Sequence, residues 1–225
     1  MRKKVLVTLC VVSLGVSVLG GCTSPPGLDD TPIAPGEETA YTWGDYYLFE
    51  SLSEILDSAE IVALVRPQSY RYEVYQPPEI TDPDPRVNPM AGMPDPVYTP
   101  PPSPFTATSV EVLEVWMGEL APGATIDIYQ YGGILDGVVF LEQDVPALKD
   151  YMDRDLVVLL NKVDDSDTDW YSLTSGQQGL WALGGSGESA RLTLLVMEEL
   201  PELNPGDPGL VLTVRELKAT IAQMG

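Results

Sequence analysis

The densest group of chemically capable residues in the chain is Asp164-Asp165-Ser166-Asp167-Thr168-Asp169. Asp165, Asp167 and Asp169 stand at alternate positions, a spacing at which hard carboxylate oxygens converge on one calcium ion. The rest of that calcium-loop pattern is missing, because Trp170 stands where the turn glycine belongs and Gly176 where the bidentate glutamate belongs. The stretch is therefore expected to be a solvated hairpin loop between two strands, and no metal ligands are assigned. Gly184-Gly185-Ser186-Gly187-Glu188 has the glycine content of a phosphate-cradling loop, but no lysine follows and Glu188 carries the wrong sign, so a turn is expected. Carboxylate pairs for glycoside hydrolysis could be drawn from the 34 acidic residues, yet only separation in space identifies such a pair.

Missing residue types narrow the chemistry further. The chain has no histidine and two cysteines, Cys10 and Cys22. Without histidine there is neither the commonest general base nor the commonest transition-metal ligand, which excludes Ser-His-Asp, Cys-His and His-zinc sites. A formal charge of −22 repels phosphate backbones, so no nucleic-acid partner is expected. Such charge also keeps an exposed domain soluble. No cofactor is expected either.

Cys22 is the one residue with a specific covalent assignment. Arg2, Lys3 and Lys4 precede an apolar run from Val5 to Leu19, and small Gly20 and Gly21 precede the cysteine. This is the order of an export signal: a basic end held at the cytoplasmic face, an apolar stretch that enters the bilayer, and small residues that fit a peptidase cleft. The apolar run falls short of the roughly 20 residues that a membrane-spanning helix needs. Leu19-Gly20-Gly21-Cys22 resembles the bacterial lipobox, in which the cysteine sulfur receives diacylglycerol before cleavage ahead of it. Two acyl chains hold a protein stably on a bilayer where one does not. Residues 1–21 are thus expected to be a signal peptide and Cys22 the lipid attachment site, on the extracytoplasmic face of the cell membrane. With Cys10 discarded and Cys22 acylated, the mature domain keeps no thiol for redox chemistry.

Hydrophobic periodicity predicts the elements that follow. Residues 22–40 are rich in Pro, Gly, Thr, Asp and Glu and predict a disordered tether. Ser51 and Glu54 have capping-box spacing, and Leu48, Leu52, Ile55, Leu56 and Ala59 recur at helical intervals, predicting a short helix. Ile61 to Val65 predicts a first strand, and the alternating tyrosines of Tyr70 to Tyr75 a second piece. Residues 76–104 are dense in proline, which cannot donate to a sheet ladder, and predict an inserted loop whose Pro100 to Pro104 favours polyproline II. Val110 and Val112 share one phase and Leu113 and Val115 the other, which predicts a bulge. Ala121-Pro122-Gly123 turns the chain into Thr125 to Tyr131; Leu156 to Leu160 is a continuous apolar strand, and Trp170 to Leu183 and Arg191 to Met197 return. Thr213 and Glu216 form a second capping box before Val214, Leu217, Ile221 and Met224 on one helical face. Tyr41, Trp43, Tyr46, Tyr47 and Phe49 form an aromatic cluster where tether meets domain, expected to be buried, though such rings bind sugars or peptides when exposed. The fold expected for residues 41–225 is mainly β: one small OB-like barrel of five to six strands, with one short helix before it and one at the C-terminus.

The order of elements from Ser53 to Leu183 resembles uncharacterised bacterial lipoproteins that carry a netrin-like, oligonucleotide/oligosaccharide-binding (OB) barrel. The resemblance rests on Asp57-Ser58-Ala59-Glu60-Ile61-Val62, on Val112-Leu113-Glu114-Val115-Trp116-Met117-Gly118, and on Tyr171-Ser172-Leu173 followed by Gln178-Gly179-Leu180-Trp181. Met117-Gly118 stands where the family often has Lys-Gly, and Arg154-Asp155 where it often has Gly-Glu. Netrin-like inhibitors of metalloproteinases chelate zinc through a free amino-terminal cysteine, a mode that a thioether at Cys22 would block. The lipobox, the absence of histidine and of a free thiol, and the OB-like order of elements together lead to the expectation of a non-enzymatic binding module at the envelope, whose partners are the membrane through Cys22 and an envelope protein or glycan. The alternative is a carboxylate-dependent hydrolase of cell-wall polysaccharide.

Replacing the acylated sulfur tests the address directly. Cys22→Ser should abolish processing and membrane retention, read by mass spectrometry of the membrane fraction; a processed, membrane-bound Cys22→Ser protein would contradict the assignment.

Overall fold

The two unbroken apolar runs of the sequence become neighbouring strands. A computed structural model describes residues 38–42, 48–143, 145–165, 168–195 and 211–224. Its elements are β1 (Thr39–Thr42), α1 (Leu52–Ser58), β2 (Ile61–Tyr75), β3 (Ser103–Met117), β4 (Thr125–Tyr131), β5 (Gly133–Leu135), β6 (Val138–Glu142), a 3-10 turn (Leu148–Tyr151), β7 (Leu156–Asp165), β8 (Thr168–Leu173), β9 (Leu180–Gly184), β10 (Arg191–Leu194), β11 (Val211–Thr213) and α2 (Val214–Met224). Among the described residues the fold is mainly β, with two α-helices. The signal segment, Cys22 and most of the expected tether lie outside the described residues. No helix among the described residues is long and apolar enough to cross a membrane.

β2 and β7 pair antiparallel from Ile61↔Leu160 to Val65↔Leu156. Alternate residues of each go to opposite sides. Ile61, Ala63, Val65, Leu156, Val158 and Leu160 meet Val110, Val112, Ile128, Tyr171 and Leu180 in an inner core, which Leu148 of the 3-10 turn joins. Val62, Leu64, Val157 and Leu159 face the other way and pack with Ile55 and Leu56 of α1, Val214 and Leu217 of α2, and Trp181, Leu192 and Leu212 of β9 to β11. Burial on both faces is why these strands read as continuous apolar runs without a polar alternation. Each valine, leucine or isoleucine so buried contributes about 1.5–3 kcal/mol.

Five strands close a hydrogen-bonded ring in the order β7-β2-β3-β4-β8, with β8 returning to β7. All contacts in it are antiparallel except β4 with β8, where Ile128 and Tyr171 pair in parallel. β9, β10 and β11 extend the same sheet beyond β7, and β1, β6 and β5 form a second, three-stranded sheet. The expected count of five to six strands is therefore corrected to eleven described strands in two sheets. The additional ones are short: β5 and β11 have three residues each, and Gly132-Gly133 and Asp136-Gly137 interrupt the periodicity that would reveal β5 and β6.

Ile61 to Val65 and Tyr70 to Tyr75 are parts of one strand, whose ladder slips between Pro67 and Ser69, with Gln68 the extra residue next to the proline that has no N–H to give. The bulge falls at Leu113, since Val65 pairs with Val112 while Leu64 pairs with Glu114. Leu113 thereby packs on the outer core, and Val115 on the inner one, so the two do not share a face. Ser51 accepts from the Glu54 N–H at 3.2 Å, and the Glu54 carboxylate reaches back to the Glu50 N–H at 2.9 Å. At α2 the box is reciprocal: Glu216 N–H to Thr213 Oγ1 at 3.2 Å and Thr213 N–H to Glu216 Oε2 at 2.6 Å. The Pro-rich loop ends as β3 begins at Ser103 and is pinned across its middle, where Ile80 and Tyr98 exchange both backbone hydrogen bonds and buried Asn88 donates to the Pro96 carbonyl.

Gly118 ends β3 at φ +86°, where an added Cβ would lie 2.3 Å from the Glu60 carbonyl oxygen. Gly137 has φ +78° with open space around it. Gly118→Ala should cost at least about 2 kcal/mol and Gly137→Ala only about 1 kcal/mol. Urea denaturation of the two variants measures the difference, and equal losses would contradict the Glu60 contact.

Candidate functional site

Alternation along three adjacent strands assembles the site. On β2, Arg71, Glu73 and Tyr75 pair with Ala107, Phe105 and Ser103 of β3; on β4, Asp127, Tyr129 and Tyr131 pair with Ser109, Ala107 and Phe105. Their neighbours in the chain, Thr106, Thr108, Ile128 and Gln130, are buried on the opposite side. The first set therefore shares the outer face of the ring.

β8 brings the largest ring to that face. Trp170 stacks on Tyr129 with centroids 4.5 Å apart and planes at 10°. Tyr75 meets Trp170 edge-on at 4.9 Å, and Phe105 lies 6.3 Å from both Tyr75 and Trp170 and 5.8 Å from Tyr131. All five rings are half-buried. The Trp170 indole Nε1 is buried without a hydrogen-bond partner among the described residues.

Beside the rings lies a polar lattice centred on Arg71. Its guanidinium donates to Glu73 at 2.5 Å, to Asp127 at 2.8 Å and to the Tyr129 hydroxyl at 3.2 Å. Tyr129 in turn donates to Glu73 at 2.9 Å, and Ser109 donates to Asp127. Burial, followed by the Glu73 carboxylate, pushes the Tyr129 phenol up to about 12. Burial would raise Asp127, but hydrogen bonds from Arg71 and Ser109 and the Arg71 charge outweigh it and hold the carboxyl below its ordinary range. Arg71 is raised, its hydrogen bond to Asp127 being the largest cause. At neutral pH, Arg71 and Asp127 stay charged and Tyr129 stays protonated. Proton transfer favours a group that titrates near the working pH, which none of these three does.

The residues singled out in the sequence go elsewhere. Tyr41 lies in β1, exposed, against a cavity between the two sheets, whereas Phe49 packs on the outer core and exchanges hydrogen bonds with Gln178 at 2.8 and 3.1 Å. The structure thus does not bring these two together, and Trp43, Tyr46 and Tyr47 lie outside the described residues. The acidic stretch forms the end of the β7–β8 hairpin, where the backbone pairs Asp164 with Asp169 and Asp165 with Thr168. Ser166 and Asp167 lie outside the described residues, and among the described residues no three acidic, histidine or cysteine side chains are grouped to hold a metal. Gly184 ends β9, paired with Arg191 of β10, and Gly185 to Glu188 lie in the turn between the two strands, with Glu188 3.1 Å from the Lys218 ammonium. The five-ring face has a signal in the sequence that went unassigned: the alternations Arg71-x-Glu73-x-Tyr75 and Asp127-x-Tyr129-x-Tyr131 lie in phase on the two strands that flank β3.

Because Asp127 sits lower when folded, its contribution is fully present above the ordinary value of 3.8 and is lost as pH falls through the folded value. Asp127→Asn should lower stability at pH 7 by about 1 kcal/mol, or roughly 2–4 °C in Tm. The gap to the parent protein should close below pH 3.8, and a gap that persists in acid would contradict the ion pair. Comparison of the chain with protein-family models, with curated proteins and with solved structures returns no match.

Proposed function

We propose that the chain is an exported envelope protein, lipid-anchored at Cys22, whose ring is an OB-type barrel that binds a partner without catalysis. Counting the ring strands β2, β3, β4, β7 and β8 as first to fifth, their order around the ring is first, second, third, fifth, fourth, with a parallel contact between third and fifth. That order supports the OB reading, as does the resemblance to netrin-like lipoproteins. Folds of this type bind along the face of the second and third strands and the loops joining first to second and fourth to fifth. Here those parts are the outer face of β3 and β4, the Pro-rich loop and the β7–β8 hairpin.

The observation that carries the proposal is the Tyr129–Trp170 stack, held in a half-exposed surface of five rings beside a fixed polar lattice. Flat rings with satisfied polar neighbours suit the apolar faces of sugars or the side chains of a protein. The net charge of −22 disfavours nucleic acid, the other common ligand of such faces. The lattice carboxylates give weaker support to a wall hydrolase: a general acid needs a raised pKa, and Asp127 is lowered. The Leu19-Gly20-Gly21-Cys22 tetrad supports the anchor, and with it a partner on the extracytoplasmic side.

Binding of the full chain to sonicated cell-wall glycan, measured by sedimentation, tests the face. Trp170→Ala and Tyr129→Ala should each weaken retention about tenfold, the worth of one stacked ring. Retention that survives both substitutions would overturn the assignment of this face.

A further inference from the structure

A second concavity lies apart from the Trp170 stack, where the three-stranded sheet meets the ring. It is a partly enclosed cavity of about 220 Å³. An apolar cavity of about 150 Å³ takes one benzene, so this one takes a single six-membered ring with its substituents. Tyr72, Tyr131 and Phe140 line it with flat apolar surface.

Two polar groups define what such a ring must carry. Gln143 lines the cavity, and its side-chain oxygen is buried without a hydrogen-bond partner among the described residues. An unmet buried acceptor costs about 1–3 kcal/mol, which a ligand N–H or O–H would recover. Lys149 also lines the cavity, with 21% of its side chain exposed and Asp150 3.0 Å from its ammonium. An ammonium has three N–H donors, so it can serve a ligand acceptor as well as Asp150. Gln130 and Thr106 are already committed: Gln130 donates to the Pro146 carbonyl and accepts from the Leu148 N–H, and Thr106 donates to the Gly132 carbonyl.

Charge selects among ring ligands. Among the described residues the lining has one cation, Lys149, against two carboxylates, Glu142 and Asp150, within a chain of net charge −22. An anionic ring would be repelled, and a cationic one would face the Lys149 ammonium. Among neutral rings that both donate and accept hydrogen bonds and have an apolar face, a pyranose fits this lining, its C–H face against the aromatic rings. We propose that this cavity is a binding site for one neutral sugar ring, seated against Tyr72, Tyr131 and Phe140, with a hydroxyl or amide N–H on Gln143 and an oxygen on Lys149. The site is independent of the Trp170 face, although Tyr131 borders both.

Saturation-transfer NMR on the full chain in a sugar-free detergent tests it. The probes are methyl α-D-glucopyranoside, methyl β-D-galactopyranoside and N-acetylglucosamine, with benzoate as the anionic comparison, each at about 10 mM, because a one-ring site is expected to bind near millimolar. At least one sugar should show transfer. Gln143→Leu and Tyr72→Ala should each weaken it about fivefold or more, while Trp170→Ala leaves it unchanged. Thermal melting checks each variant, and Lys149→Met replaces any that fails to fold. Absence of transfer to every sugar, transfer that survives the cavity substitutions, or benzoate binding that Gln143→Leu abolishes would each overturn the proposal. Transfer abolished by Trp170→Ala alone would overturn it too, while leaving the outer-face reading standing.

Discussion

Closure of the ring by β8 is the constraint on which the other features depend, because one strand must satisfy two neighbours of opposite sense. It runs parallel to β4 at Ile128↔Tyr171 and antiparallel to β7 from Leu160↔Leu173 to Asp165↔Thr168. That register puts Tyr171 into the inner core and turns Trp170, its neighbour in the chain, onto Tyr129 outside. Since side chains alternate along a strand, a slip of one residue would exchange them, placing an indole in the core and a phenol on the surface. Core packing and the aromatic face are therefore set by the same pairing.

The rest of the molecule decides which part of the outside stays open. α1, α2 and β9 to β11 cover Val62, Leu64, Val157 and Leu159, and reach Leu113, Trp116 and Met117 at the far end of β3. β4 contributes no residue to that outer core. The uncovered face has to be stable in water, and the Arg71 lattice does this by pairing its charges with one another across β2, β3 and β4. Such half-exposed pairs add little to stability, but they fix where the donors and rings point.

Legibility in the sequence followed the length of each periodic signal. The two capping boxes at Ser51 and Thr213, the two-sided runs at Ile61 and Leu156, and the Leu113 bulge were visible, because each depends on residues close together in the chain. The small sheet was not, since β1 and β6 pair over a long separation, as in Thr39↔Val139, and β5 is three residues long. The site was visible only in halves. Tyr70 to Tyr75 and Thr125 to Tyr131 each read as strands, but nothing local shows that their outer residues share a face with Trp170. The cluster at Tyr41 to Phe49 looked contiguous in the chain, yet Tyr41 and Phe49 go to different surfaces once the tether enters β1.

The measurement that bears most directly on this account is a nuclear Overhauser spectrum of the labelled full chain. Closure predicts backbone contacts between Ile128 and Tyr171, together with ring-to-ring contacts between Tyr129 and Trp170. An open ring would show the β7–β8 hairpin contacts without either of those, and the outer face described here would then not exist.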